Sequence, residues 1–452
     1  MDFILLMQMV LAALSAVLLY TFIGFIPGTD ETSVLMPISL ALILSGTQPI
    51  IVLTFFVAAM VTLNLTNLMP TALVGLPGGV LSAPMINHAI HLKNRGLSSL
   101  VIKKMAAGAL IGTLISIPVS LLLANLLTPF AAVIQPYAPY LFVIGAIFLS
   151  LIGRYKILSL LSILPLAVLF QGLRYLYWGT GVVAEGTNVT TSFFLGITIG
   201  PLIVSLFSLL NKEKRAAQLT TRYKQIAIPS NLDQTKTLNP FKLLSRKERR
   251  AASLSALLST VFFVLSPVGL ILLFGETIAK RIPDPDEKAT TTITAMSALA
   301  QSTYISGIII PLIALGIPLS PTAIGPGSAL FNAPPVFTVE HNLFHILTSG
   351  EKIAAILLGS LLAAAISYLF INRYASKFTK FILERVPHEA ILGLFIAFIL
   401  LLAYQDAGLI NIFGVLLIGI TCGTLNQLGV NYGVQFMTLY AAPFLIEQLA
   451  KL

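Results

Sequence analysis

The stretch NLMPTALVGLPGGVLSAP, residues 67–84, and the stretch IIIPLIALGIPLSPTAIGP, residues 308–326, decide how this chain is read. Both carry Pro-x4-Gly-x-Pro: Pro70, Gly75 and Pro77 in the first, Pro311, Gly316 and Pro318 in the second. The offset is 241 residues at all three positions. Self-similarity at a fixed offset marks an internal duplication. Each motif also interrupts an apolar run. Proline removes a helical N–H, and glycine enters backbone conformations closed to other residues. In hydrocarbon, bare backbone survives only where it is buried in protein or lines a wet cavity. A half-helix starting after Gly-x-Pro would aim free N–H groups and a positive dipole end at such a cavity. Two such ends facing each other suit an anion. The plainer alternative is that these residues only kink packed helices.

Composition sets the frame around the motifs. Of 452 residues, 57% are hydrophobic and 10% charged, where a soluble protein has about 45–50% apolar and about 25% charged residues. So few ionic side chains cannot cover a soluble surface of this size. Disorder, a fibrous protein and a nucleic-acid-binding domain are excluded on the same ground, leaving a polytopic helical membrane protein. The single cysteine, Cys422, rules out a disulfide framework and a Cys-based zinc site, and reads as a small apolar helix residue. The first apolar run starts at Phe3 behind Asp2, without a basic segment, and reads as a retained span.

Apolar runs cover residues 3–26, 105–127, 140–152, 157–171, 192–210, 253–274, 353–371, 390–404, 408–422 and 432–449, with broken stretches at 33–84 and 290–330. A crossing needs about 20 such residues. The net charge of +10 is concentrated: residues 211–251 hold 11 Lys/Arg against 3 acids. Basic loops stay cytoplasmic; contact with anionic lipid or nucleic acid is the alternative. Lys93, Arg95, Lys103 and Lys104, then Arg154 and Lys156, then Arg373, Lys377, Lys380 and Arg385 fall on the same side as that loop. Residues 276–288, of mixed charge, count as exterior. The helix starting at Met105 then leaves from the inside and its counterpart at Ile353 from the outside, so the two copies are inverted. The expected architecture is an all-α polytopic membrane protein of about 12 helical elements, with broken or re-entrant helices in two inverted repeats. The first half is 1–210, a basic cytoplasmic linker follows at 211–251, and the second half is 252–452. Inverted repeats with broken helices are the signature of secondary transporters.

At these residues the sequence resembles the large membrane subunit of the tripartite tricarboxylate transporters, the TctA family. The resemblance rests on GFIPG (Gly24, Pro27, Gly28) followed by Leu35, Met36 and Pro37; on LVGLPGG at 73–79 with Asn87, His88, Ala89 and Lys93-Asn-Arg-Gly96 behind it; and on IIPLIALGIP at 309–318. Four departures stand out. Gly79 replaces an acid after Pro-Gly, His88–Ala89 replaces an Asp-Gly pair, Leu319 replaces a glycine, and SALAQST (297–303) replaces an acidic, Asn-rich stretch. A second Gly-x-x-Pro-Gly is not recognisable near residues 267–275. The resemblance implies a permease in a bacterial inner membrane with two partners: a small membrane subunit and a periplasmic solute-binding protein.

Polar groups at membrane depth are expensive and often functional. Asn64, Thr66 and Asn67 precede the first break, with Asn64 and Asn67 on one helix face. They bind substrate or a coupling ion, or else act as interhelical glue. Gln301, Ser302, Thr303 and Ser306 hold the corresponding places in the second copy. Gly75, Pro77, Gly78, Gly79 and Ser82 form the first turn; Gly316, Pro318, Ser320 and Thr322 form the second. Asp30 and Glu31 are candidates for a coupling proton or Na⁺, or solvated helix-start acids. His88 and His91 read as surface residues beside a basic loop rather than a proton relay. Trp178 with Tyr175 and Tyr177 reads as an interfacial aromatic anchor. Asn188 begins a glycosylation sequon by pattern alone.

No P-loop, HExxH or nucleophile elbow is present, so the reading is not an enzyme and includes no cofactor or metal. The expected function is ion-gradient-driven transport of a small organic anion, a di- or tricarboxylate, bound between the 75–79 and 316–320 turns. Its alternatives are a protein that moves a polyprenyl-phosphate-like lipid and a non-transporting scaffold.

Overall fold

The computed structural model describes residues 2–451 except 30, 153–154, 187–188, 213–236, 266, 339 and 387. Asp30, Arg154, Asn188 and most of the basic linker therefore lie outside the described residues. The described chain is helical throughout, with two isolated bridges at 333/337 and 338/341 and no strand. Its main helices are α1 (Phe3–Gly24), α2 (Glu31–Leu44), α3 (Pro49–Thr66), α4 (Leu68–Val74), α5 (Ile86–Asn94), α6 (Ser98–Leu127), α7 (Ala138–Ile152), α8 (Lys156–Gly179) and α9 (Thr190–Leu210). After the linker come α10 (Arg246–Val261), α11 (Pro267–Ala279), α12 (Pro285–Ala314), α13 (Ser349–Arg385), α14 (His388–Gln427) and α15 (Tyr432–Leu449). Among the described residues, seven helical stretches are long and apolar enough to cross a membrane. The protein is an all-α polytopic membrane protein.

The packing partners cross between the two halves of the sequence. In one bundle α1 lies on α3 and α10 on α12, while α13 packs against α3 and α6 against α12. Small residues allow these approaches. A Cβ at Gly112 of α6 would lie 2.7 Å from the Ala298 carbonyl oxygen, and one at Gly359 of α13 would lie 2.7 Å from that of Thr54. In the other bundle α9 packs on α14, and α15 on both α7 and α8. Gly196 and Gly200 of α9 face Gly419 and Gly423 of α14, two Gly-x3-Gly pairs. A Cβ at Gly200 would lie 2.8 Å from the Gly423 nitrogen. α14 is itself broken at Ala407 and Gly408, where φ is −150° and +69°. The Asn411 side-chain amide donates to the Ala403 carbonyl at 2.7 Å and to Ser192 Oγ at 2.6 Å. In a straight helix residues eight apart would be separated by about 12 Å, so the chain turns sharply there.

Two sequence expectations change. Residues 276–288 were placed opposite the basic loops, yet they share a face with them. His88 Nε2 meets Glu276 at 2.7 Å, His91 Nε2 meets Asp286 at 2.8 Å, Arg95 reaches Asp286 at 3.6 Å and Lys247 meets Glu287 at 2.8 Å. The buried Lys104–Glu248 pair, at 2.5 Å, joins the same end. The reason is that the 253–274 run is two helices. α10 and α11 have 16 and 13 residues, about 24 and 20 Å long against a core of about 30 Å. The chain turns after Val261 and comes back. Tyr177, read as part of an interfacial anchor, is buried: its hydroxyl donates to the Ile410 carbonyl at 3.3 Å and its ring packs on Gly414. Only Tyr175 and Trp178, edge-on at 5.6 Å, keep surface positions.

Candidate functional site

The first break begins where α3 passes into α4 at Asn67 and ends at Gly75, whose φ of +74° only glycine adopts readily. The 75–79 turn then pairs with the Gly24–Gly28 turn. Gly28 N–H donates to the Pro77 carbonyl and Thr29 N–H to the Gly78 carbonyl, both at 2.9 Å. The two Pro-Gly motifs, 50 residues apart in sequence, thus satisfy each other's backbone. Ser82 Oγ accepts from the N–H groups of Gly78 and Gly79 at 3.0 and 3.2 Å and donates to the Gly79 carbonyl at 2.9 Å. A 3₁₀ turn, Val80–Met85, follows and leads into α5.

Gly78 and Gly79 are fixed by what surrounds them. A Cβ at Gly78 would overlap the Asn67 carbonyl, and one at Gly79 would overlap a Glu31 carboxylate oxygen and lie 2.7 Å from the Asn67 amide nitrogen. Glu31, at the start of α2, is buried, and Asn67 Nδ2 donates to it at 3.4 Å. A carboxylate therefore occupies the space beside position 79, carried by α2 instead of by residue 79.

The second break follows α12. Gly316 has φ +69°, Ser320 Oγ accepts from the Ala323 N–H at 3.1 Å, and a short helix, Pro321–Ile324, begins. Ser320 Oγ also donates to the Gly307 carbonyl and lies 3.1 Å from Thr322 Oγ1. This break is held from outside itself. The Asn342 side-chain amide donates to the carbonyls of Gly316 and Phe331 at 2.8 and 3.2 Å, the Phe344 ring lies on Gly316, and Gln135 donates to the Leu315 carbonyl at 2.8 Å. His345, in the same loop, has its pKa lowered by partial burial and by the nearby His341 and Lys352.

The two breaks meet in a cavity of about 130 Å³. The first contributes Val80 and Leu81, the second Pro321, Thr322, Gly325 and Pro326, and α12 adds Tyr304. The first residues of three longer helices add Glu31 and Thr32 of α2, Pro267 and Val268 of α11, and Tyr432 and Gly433 of α15 with its cap Asn431, and Leu149 near the end of α7 and Phe436 of α15 complete the walls. Helix starts carry the positive end of the dipole and N–H groups that need a partner; at α15 the Gly433 N–H is already held by Asn431 Oδ1 at 2.7 Å. Among the described residues no lysine or arginine lines the cavity, and Glu31 is its one carboxyl.

The sequence candidates fall into three groups. Glu31 and Thr322 line the cavity, with Gly78, Gly79 and Ser82 directly behind its wall. Gly75, Pro77, Gly316, Pro318 and Ser320 shape the two turns and stand back from it. Thr66, Ser302, Thr303 and Ser306 are spent on helix contacts. Thr66 donates to the Tyr20 carbonyl at 3.3 Å, Ser302 pairs with Ser259, and Thr303 and Ser306 donate to carbonyls of their own helix. Asn64 Nδ2, Asn67 Oδ1 and both amide atoms of Gln301 are buried without a hydrogen-bond partner among the described residues. The half-helices expected after each Gly-x-Pro are only short turns, because Pro84 interrupts the first and Gly325, Pro326 and Gly327 the second. Thr32, Tyr304, Pro267 and Asn431–Gly433 were missed. Asn431 ahead of the apolar 432–449 run was a legible cap signal.

A model of the tripartite tricarboxylate transporter TctA family matches residues 10–435. The chain belongs to the TctA family. No curated protein and no solved structure matches it. Membership makes this TctA-family chain a component of a tricarboxylate transporter, a multi-pass membrane protein from a system with partner subunits and a binding protein. It lends nothing to the lipid-phosphate alternative.

Proposed function

We propose that this chain is the permease subunit of a secondary transporter that takes up a di- or tricarboxylate, driven by H⁺ or Na⁺. The convergence of three helix starts on one cavity carries the reading. Such ends bind anions through backbone N–H groups without a dedicated cation. Glu31 supplies the coupling. Two unit charges about 4 Å apart repel by about 4 kcal/mol at an effective dielectric of 20, so a carboxylate beside ionised Glu31 is strongly disfavoured. A proton or Na⁺ at Glu31 removes that cost, and substrate and cation then occupy the cavity together. The two sequence halves act as inverted copies, supported by their exchanged packing partners. Their relative motion exposes the cavity to each side in turn. The basic 211–251 linker faces the cytoplasm of a bacterial inner membrane, and the partners are a small membrane subunit and a periplasmic solute-binding protein. The transport cycle needs no covalent chemistry and no cofactor.

The test is a thermal-shift series on the purified chain with citrate and succinate, at pH 5.5 and 7.5, with and without Na⁺. A ligand at 100 times its Kd stabilises by about 2.7 kcal/mol. Carboxylate-dependent stabilisation that grows with acid or Na⁺, and loses that dependence in Glu31→Gln, is expected. Absence of a shift with every carboxylate overturns the reading, as does stabilisation by lipid phosphates alone.

A further inference from the structure

Near the C-terminal end of α13, Phe370, Tyr374, Lys377, Phe378 and Phe381 line a shallow groove of about 340 Å³, remote in sequence from both breaks. Aromatic rings packed edge to face build its floor. Phe378 lies 5.0 Å from Phe25, the residue that ends α1, and 5.2 Å from Phe370. Tyr374 and Phe381 are about half exposed, at 45% and 50%. A protein interior would bury such rings, so the groove presents an apolar surface to whatever surrounds α13.

Charge decides what that is. Among the described residues Lys377 is the one cation in the lining, and it makes no ion pair with any of them. One turn earlier, the Arg373 guanidinium lies 5.7 Å from the Tyr374 ring centre, and one turn later Lys380 reaches Glu384 at 3.8 Å. The last turns of α13 hold Arg373, Lys377, Lys380 and Arg385 against the single acid Glu384. α13 is among the helices long enough and apolar enough to cross a membrane, and basic residues at the end of such a helix favour the level where acyl chains give way to headgroups.

We propose that this groove binds an anionic phospholipid. An acyl chain lies along the rings of Phe370, Phe378 and Phe381, and the phosphate sits between Lys377 and Arg373. A neutral lipid fills the same apolar surface but supplies no net charge opposite Lys377. A free phosphate lacks the chain that the rings receive.

Native mass spectrometry of the full chain tests this, with phosphatidylglycerol, phosphatidylcholine and glycerol phosphate offered at equal concentration. Retention of phosphatidylglycerol alone is expected, falling about tenfold in the Arg373→Gln/Lys377→Gln double variant. Both side chains are exposed, so the melting midpoint should stay within a degree of the parent. Equal retention of the two lipids, or unchanged phosphatidylglycerol in the double variant, overturns the proposal. A dimer dispersed by Tyr374→Ser also overturns it and gives the groove to a second copy of the chain.

Discussion

At the first break the main chain closes on itself. The Gly28 loop donates two backbone hydrogen bonds to carbonyls of the Gly78 loop, Ser82 takes up the two glycine N–H groups, and the turn ends against Glu31. At the second break, built on the same Pro-x4-Gly-x-Pro, the free carbonyls are taken up by side chains from elsewhere: Asn342 from the 332–347 loop and Gln135 from the other half. One sequence motif thus gives two kinds of closure. A main-chain lock opens only if the backbone moves. A side-chain cap opens when a loop lifts. The comparison predicts a stiff first break and a second break whose cover loosens when its loop shifts.

The largest expected difference between the breaks is steric. Gly78→Ala places a methyl group on the Asn67 carbonyl, which belongs to backbone and cannot swing aside. A loss of about 3 kcal/mol or more is expected, at the upper end for overpacking. Gly316→Ala meets Phe344 at Cβ, Cγ and Cδ1, 2.9–3.0 Å away, so the 342–347 loop must give way by a few tenths of an ångström. Added to this is the left-handed backbone, about 1–2 kcal/mol. Melting midpoints of the two variants in detergent should rank Gly78→Ala well below Gly316→Ala. Equal losses would mean that the two closures do not differ in stiffness.

Next in size is the ionic lock on the first break's face. Lys104→Met leaves Glu248, with its side chain 2% exposed, without its charged partner. Removing one member of a buried pair typically costs about 3–5 kcal/mol, and the 13% exposure of Lys104 puts this one near the low end. The double variant Lys104→Met/Glu248→Leu should recover most of that loss. If Lys104→Met alone melts like the parent, the pair does not hold α6 to α10.

The cap on the second break should be cheaper to remove. Asn342→Ala leaves the carbonyls of Gly316 and Phe331 without their side-chain donor. Each orphaned buried group costs about 1–3 kcal/mol, reduced wherever water reaches it. A loss of about 2 kcal/mol is expected, with faster hydrogen exchange confined to residues 316–347. Protection lost equally around residues 67–85 would contradict a local cover.

These differences explain what could be read in the sequence. Composition and the two interrupted runs were enough for an all-α membrane protein, because the cost of bare backbone in lipid constrains every crossing segment. The recurrence of Pro-x4-Gly-x-Pro at one offset was legible as a pattern. The turn within 253–274 was not: residues 262–266, FFVLS, are as apolar as the helices they separate. The pairing of Glu276 and Asp286 with His88, His91 and Arg95, and of Glu287 with Lys247, brings that segment back to the basic face. The cavity was legible in part. Glu31 and Thr322 stood beside the motifs, whereas Thr32, Tyr304 and Asn431 reach it through packing between segments hundreds of residues apart, which no local pattern encodes.

The smallest effect expected is a pH dependence of the cap. His345 Nδ1 accepts the Asn342 N–H at 3.4 Å, a bond that exists only while that nitrogen is unprotonated. The histidine pKa is lowered in the folded chain by partial burial, His341 and Lys352. A folded pKa below the unfolded value means that the unfolded chain binds more protons in that window. The histidine's contribution is therefore complete above its ordinary pKa near 6.5. It is lost as the pH falls through the lowered value. Protonation removes the acceptor for Asn342 and adds charge beside Lys352, so the cover loosens in acid. Hydrogen exchange at residues 338–347 should quicken below about pH 6.5 and level off once His345 is charged. His345→Gln should flatten that profile while exchange around Ser82 stays as it was. A pH profile unchanged by the substitution would leave the second break's cover without a titrating part, and its opening would then depend on Asn342 alone.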